Sequence, residues 1–264
     1  SAGTSPGTWT ERRDKTRAVK ILGIDTATQL CGVAILDTDS GRWARRQQAV
    51  TMHSETLLAL LSECLTELSL TPQDLGAVAL GAGPGSFTGL RIGCATAKGL
   101  CYALSIPLVM VSSLRALAQP LCGQGSVLAA QDAFRGQVYV QLVPSQQPSA
   151  ALAEIVRTHP QLLTDAAWRP DELGAMLRGV TDELWSCGGG IARYPELGLS
   201  VRSQRPEDNA PDPLVVAQLG LELLKRGQTA HLASALPTYV TVSAAEEQSA
   251  SSSPVASESA AWTR

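Results

Sequence analysis

Two rhythms of apolar residues alternate along this chain, and their order outlines a fold. Residues 19–25, "VKILGID", form a short apolar run of strand type. A turn over residues 25–29 leads into a second run, "CGVAILD", closed by "DTDSG", and "RWARRQQAV" predicts a third strand of a meander. Residues 54–70, "SETLLALLSECLTELSL", carry a helical stripe of Leu57, Leu61, Cys64, Leu65 and Leu68, widened by Leu58 and Leu60. "TPQDL" predicts a helix start, with Thr71 capping, Pro72 in the first helical position and Asp74 completing a capping box. The strand "GAVALGAG" then runs into a glycine-rich loop, a helix over 86–104, the strand "PLVMV" and the helix "SSLRALAQ". "SVLAAQDAFRGQVYVQLV" predicts two strands joined by a tight turn at Arg135 and Gly136. A helix over 170–177, a strand into "CGGG" and a helix over 213–225 follow. A meander succeeded by alternating helix and strand predicts an α/β protein of two lobes. The strand-hairpin opening occurs twice, at "ILGIDTAT" and at "VLAAQDAFRG", as two related lobes require.

The ends read differently. Residues 1–18 are polar and charged and predict a flexible extension; from residue 243 the Ser-, Ala- and Glu-rich stretch predicts a disordered tail. The first lobe is expected over 19–111 and the second, with a returning C-terminal helix, over 112–242. At 264 residues with 44% hydrophobic residues there is ample core for both. A net charge of −3 argues against a chain that grips nucleic acid by itself. The six cysteines are scattered singly, without metal or redox spacing, as small core hydrophobes of a cytoplasmic protein. No run approaches the roughly 18 apolar residues of a membrane span.

Candidate chemistry centres on "GAGPGSFTGLRIG", residues 81–93. Gly85, Gly89, Gly93, Ala97 and Cys101 recur every four residues, so one edge of the helix carries almost no side chain. Each interior glycine costs about 0.5–1 kcal/mol relative to alanine, which makes sense where another backbone comes close. Close packing within the chain, a partner helix, and an anion at the helix N-terminus beside Ser86 and Thr88 are three readings of that edge. The loop matches neither a Walker pattern, lacking its lysine, nor a dinucleotide fingerprint. Asp25, Thr26 and Thr28 at the first hairpin fit either a metal-bound phosphate or a side-chain-stabilised turn. Gly188, Gly189 and Gly190 after Cys187 fit either a flat ligand or a plain turn. His53, with Ser54 as a cap and Glu55 beside it, opens the first helix. The three histidines form no metal-binding pair, and there is no nucleophile elbow.

The stretches "ILGIDTAT…CGVAILD", "HSETLLALL", "GAGPGSFTGLRIG…AKGL", "VSSLRALA" and "DAFRGQVY" together resemble the TsaB family, most closely over residues 19–140. The resemblance implies a two-lobed, actin-like or hexokinase-like (ASKHA) fold with a reduced or degenerate second lobe. Asp25–Thr28 would lie at its phosphate hairpin, a vestigial nucleotide position, and residues 187–190 near its adenosine position. It implies a non-catalytic scaffold that binds the catalytic paralogue TsaD, with the ATPase TsaE joining, for threonylcarbamoylation of the adenosine next to the anticodon in ANN-decoding tRNAs. No metal or cofactor is expected in the isolated chain, ATP or ADP with Mg entering only in the complex. A homodimer is expected without TsaD, tRNA contact only through the complex, and no membrane.

The association surface implied by the family is the pair of helices after "HSE" and "GPGSFTG". It comprises His53, Ser54, Glu55, Leu57, Leu58, Leu61, Ser86, Phe87, Thr88, Gly89, Arg91 and Gly93. Family members commonly read D-A-R-R-G-E-V-Y where this chain has Phe134 and Gln137, and P-x-Y-[LV]-R where it ends in Thr241; both departures remove charge. The rival functions are an actin-fold ATPase or small-molecule kinase acting alone through Asp25 and Thr28, and a metal-dependent glycoprotease.

Overall fold

Alternation of side chains across each strand decides which helices cover which face. The computed structural model describes residues 18–49, 53–181, 184–199 and 209–240. The expected extension over 1–18, apart from Ala18, and the expected tail from 243 lie outside these residues. The described residues form nine strands and seven α-helices.

In the first half, β1 (Lys20–Asp25), β2 (Leu30–Asp37) and β3 (Trp43–Ala49) make the expected antiparallel meander. β4 (Ala77–Gly81) and β5 (Leu108–Val111) add in parallel, for the order β3-β2-β1-β4-β5. On one face Leu22, Ile24, Val33, Ile35, Val78 and Leu80 meet α1 (His53–Leu68) and α2 (Phe87–Leu104). On the other Ile21, Ala77 and Ala79 meet α7 (Pro213–Lys225), which returns from the far end of the chain. Gly23 and Gly220 let α7 lie close on the sheet, since a Cβ on either would overlap Pro213 O or Ala79 Cβ. The period-two alternation in these strands therefore separates two covered faces rather than a wet and a dry one.

The second half repeats the plan. β6 (Ser126–Asp132), β7 (Val138–Val143) and β8 (Ala166–Trp168) are antiparallel in turn, and β9 (Leu184–Cys187) pairs in parallel with β6. The order β8-β7-β6-β9 matches β3-β2-β1-β4, with no counterpart of β5. One face packs on α4 (Ala150–Thr158), α5 (Pro170–Leu177) and α6 (Gly189–Arg193) through Leu152, Leu173, Leu177 and Ile191. The other packs on α3 (Ser113–Ala118) through Leu114, Leu117 and Ala118. Ala116 of the same short helix joins the α7 side of the first sheet, so α3 is shared by both halves. This is the two-lobed ASKHA arrangement with a smaller second lobe.

Local expectations and structure differ in a few places. "TPQDL" makes only a single 3-10 turn, Pro72–Asp74, though Asp74 does accept hydrogen bonds from the Thr71 N–H and hydroxyl (both 2.8 Å). Leu75 ends it by turning extended into the strand that follows. The first helix begins at His53, so Ser54 falls within its first turn; the side chains of His53, Ser54 and Glu55 lie outside the described structure. The triple glycine opens a short helix, α6, instead of a turn. α4, nine residues that pack through Leu152, Ile155 and Val156, and β8, three residues, lie outside the expected elements. No disulfide joins the six cysteines; five are buried and Cys122 is half-buried.

Candidate functional site

The glycine-rich loop and the first hairpin are built against each other. Ser86 caps α2 by accepting from Gly89 N (3.2 Å), and its own N–H donates to Ala27 O (2.7 Å). Thr26, fully buried, donates its hydroxyl to Gly89 O (2.8 Å). An added Cβ at Gly85 would overlap Ala27 O, at Gly89 it would overlap Thr26 O, and at Gly93 the Thr26 hydroxyl. The small-residue edge of α2 therefore faces this chain's own hairpin. The reading of Gly89 and Gly93 as a partner surface is corrected: they are a joint, but an internal one.

Asp25 sits at the same junction. Its Oδ1 accepts from Ala27 N (3.0 Å) and its Oδ2 from Ser113 Oγ (2.7 Å), while the Gly81 backbone leaves no room for a side chain beside it. Ser113 is itself held by Gly83, whose N–H donates to its Oγ (3.1 Å). Burial pushes the Asp25 carboxyl up to about 6 despite these two donors. Asp25 and Thr26 thus close a turn and clamp β1 to the loop after β4. Thr28, half-buried, accepts from Leu30 N (3.1 Å) in the next turn of the hairpin.

A matching junction exists in the second lobe. Asp132, at the end of β6, accepts from Phe134 N (2.9 Å) as Asp25 does from Ala27, and from the Tyr194 hydroxyl (2.6 Å). Gly188, at φ +99°, and Gly190 press against the Ala130–Gln131 backbone, where a Cβ on either would collide. The three glycines start α6 on the strand. Phe134 and Arg135 hold the predicted turn at φ 61° and 52°, with the Phe134 ring 65% exposed.

The two helices of the implied association surface divide their residues between core and solvent. Leu57 and Leu61 are core residues, 1% and 6% exposed, which corrects their reading as anchors for a partner. Outward on α1 stand Leu58, Ala59, Ser62 and Thr66; Glu63 and Glu67 turn to Arg46 of β3 (3.0 and 2.7 Å). Outward on α2 stand Phe87, Thr88, Arg91, Ala95, Gly99, Tyr102 and Ala103. Arg91 lies over the Phe87 ring (3.9 Å), which also packs on Tyr239 of the C-terminal segment (5.4 Å). That segment runs back along α2, held by Lys98 Nζ to Ala235 O (3.1 Å) and Thr238 N to Ala82 O (2.7 Å).

Gly99 is the exception among the α2 glycines. It lies mid-helix, it is exposed, and an added Cβ would meet nothing within 4 Å. Its neighbours at one helical turn, Ala95 and Ala103, are small too. Sequence reasoning missed this row because the glycine edge beside it is more regular. Among the described residues no three His, Cys, Asp or Glu side chains are grouped to hold a metal, and no helix is long and apolar enough to cross a membrane.

Two sheets of one topology, each with a strand-end aspartate closing a turn against a glycine-rich helix start, define an actin-like two-lobed protein. Comparison with known proteins narrows the class. The tRNA threonylcarbamoyladenosine biosynthesis protein TsaB of Escherichia coli K12 is 32% identical over 183 residues, 68% of this chain and 75% of that protein. The protein of the same name from Haemophilus influenzae is 28% identical, over 80% of this chain and 86% of its own. The chain belongs to the TsaB family of tRNA threonylcarbamoyladenosine biosynthesis proteins. Residues 47–162 also match the family model of TsaD, tRNA N6-adenosine threonylcarbamoyltransferase. The solved structure of YeaZ from Pseudomonas aeruginosa superposes with a TM-score of 0.68 at 27% identity, covering 84% of this chain and 99% of that one. A second solved protein of that organism, described as similar to the peptidase YeaZ, gives 0.69 at 25% identity.

Proposed function

We propose that this chain is a non-catalytic subunit of the tRNA threonylcarbamoyladenosine pathway, carrying a TsaD-like catalytic paralogue on the outer face of α1 and α2. One observation carries the reading: outward on these helices stand Leu58, Ala59, Ala95 and Ala103, the exposed Glu63 and Glu67 being paired with Arg46, and among them is a mid-helix glycine for which the chain's own packing gives no reason. An interior glycine loses about 1 kcal/mol relative to alanine, a loss that close approach of a partner helix offsets. Leu58, 54% exposed on α1, is the apolar anchor. The TsaE-like ATPase and the tRNA join through the catalytic partner, a second copy of the chain takes the same face when that partner is absent, and the work is cytoplasmic.

Asp25 and Thr26 support the non-catalytic reading, since their polar atoms bond within the chain. ATP or ADP with Mg then enters only in the assembled complex. Sizing with light scattering, using this protein alone and with the TsaD of its organism, tests the proposal. A one-to-one complex is expected, lost in Leu58→Glu and Gly99→Leu while both variants stay folded. Normal association of both variants would place the interface elsewhere. Mg-dependent ATP turnover by the isolated chain, abolished in Asp25→Ala, would overturn the non-catalytic reading.

A further inference from the structure

The connector between the two sheets passes through two consecutive serines that point to different aspartates. Ser113 donates to Asp25 of the first sheet (2.7 Å) and exchanges two more hydrogen bonds with Gly83, its N–H donating to Gly83 O (2.8 Å) and its Oγ accepting from Gly83 N (3.1 Å). Ser112 donates to Asp165 Oδ1 (2.7 Å), which directly precedes β8 at the outer edge of the second sheet. The same hydroxyl caps α3 by accepting from Arg115 N (3.0 Å) and lies 3.4 Å from Gln141 Oε1 of β7. The two arms are unequal. The first is a buried knot of several bonds, whereas the second is one side-chain bond to a half-buried carboxylate. Between them α3 packs into both halves through Ala116 on one side and Leu114, Leu117 and Ala118 on the other.

We propose that the Ser112–Asp165 bond is an off-axis latch between the lobes, which holds the β7–β8 edge to the connector when the carboxyl is neutral and loosens when it is ionised, with α3 as the pivot. Among the described residues Asp165 bonds to the uncharged Ser112 hydroxyl of the connector, and no charged group acts on it. Gln141 Nε2 donates to Leu163 O (3.2 Å) rather than to the carboxylate. Arg115, one turn along α3, is directed to Cys122 Sγ (3.5 Å). Among the described residues an ionised Asp165 therefore has one donor, whose bond ionisation strengthens, and no cation; the larger cost of burying the charge is relieved by drawing in water. Burial accordingly lifts this carboxyl to about 6 against the lowering effect of Ser112.

Hydrogen exchange of the full chain, read by mass spectrometry at pH 5 and 7.5 and corrected for intrinsic rates, tests the latch. Protection of Val138–Val143 and Ala166–Trp168 is expected to rise at least about tenfold at the lower pH, the change carried by one unit of displaced pKa. β1 ends in Asp25, whose carboxyl burial likewise lifts to about 6, so any pH change in the peptides of β1 and β4 should persist in Asp165→Asn. Asp165→Asn keeps the acceptor and removes the charge, so it should hold the protected level at both pH values; Ser112→Ala should lower protection at both. The same pH profile of the β7 and β8 peptides in Asp165→Asn as in the parent would overturn the proposal. Should Ser112→Ala fail to fold, Asp165→Asn decides alone.

Discussion

Two glycines of one helix should respond with opposite signs to the same substitution. Gly89→Ala places a Cβ inside the contact radius of Thr26 O and forces α2 away from the hairpin. That movement breaks the buried bond from Thr26 Oγ1 to Gly89 O, and leaving a buried hydroxyl unpaired costs about 1–3 kcal/mol. Local overpacking adds about 1 kcal/mol or more, while the gain in helix propensity returns about 1 kcal/mol. The net is a loss of about 2 kcal/mol, or roughly 4–8 °C in Tm for a chain of this size. Gly99→Ala meets no such obstacle and should gain about 1 kcal/mol, roughly 2–4 °C. Thermal and urea unfolding of the isolated protein measure both. A stabilised Gly89→Ala would mean that α2 is not seated on the hairpin, and a destabilised Gly99→Ala would mean that its face is already covered within the chain. In the presence of the catalytic partner the sign for Gly99→Ala should reverse, with weaker association from a more stable subunit.

Other outcomes can be checked with the same material. Leu57→Ala, which empties part of the core between α1 and the first sheet, should lose about 2–5 kcal/mol in urea unfolding, in contrast to the small effect of Leu58→Ala on the opposite side of the helix turn. Asp165 holds its proton to about pH 6 when folded and to 3.8 when unfolded, so native stability falls as pH rises through that window and is level above it. Asp165→Asn lacks this loss. It should match the parent near pH 4 and exceed it by about 1–2 kcal/mol at pH 7.5, after allowing for solvent at a half-buried group. Tyr194→Phe removes the donor to Asp132 (2.6 Å) and should lose about 1–2 kcal/mol, measured by thermal unfolding.

Much of the architecture is legible without coordinates. The apolar runs "VKILGID" and "CGVAILD", the turn at Arg135–Gly136, and the helix over 213–225 depend on neighbours in the chain, and short-range sterics decide them. The four-residue repeat of small side chains in α2 was equally plain. What lies against that edge was not, because periodicity defines a face and says nothing of its neighbour. Only the folded chain sets Thr26 against Gly89, 63 residues away, and Ser113 against Asp25, 88 residues away. For the same reason the helical stripe sets Leu57 apart from Leu58 without saying which of them the sheet covers, and Gly89 and Gly99 have one chemistry and opposite surroundings. The residue types and their rhythm determined the strands, the helices and the turns; burial by distant segments decided which small and apolar positions were filled from within and which were left facing out.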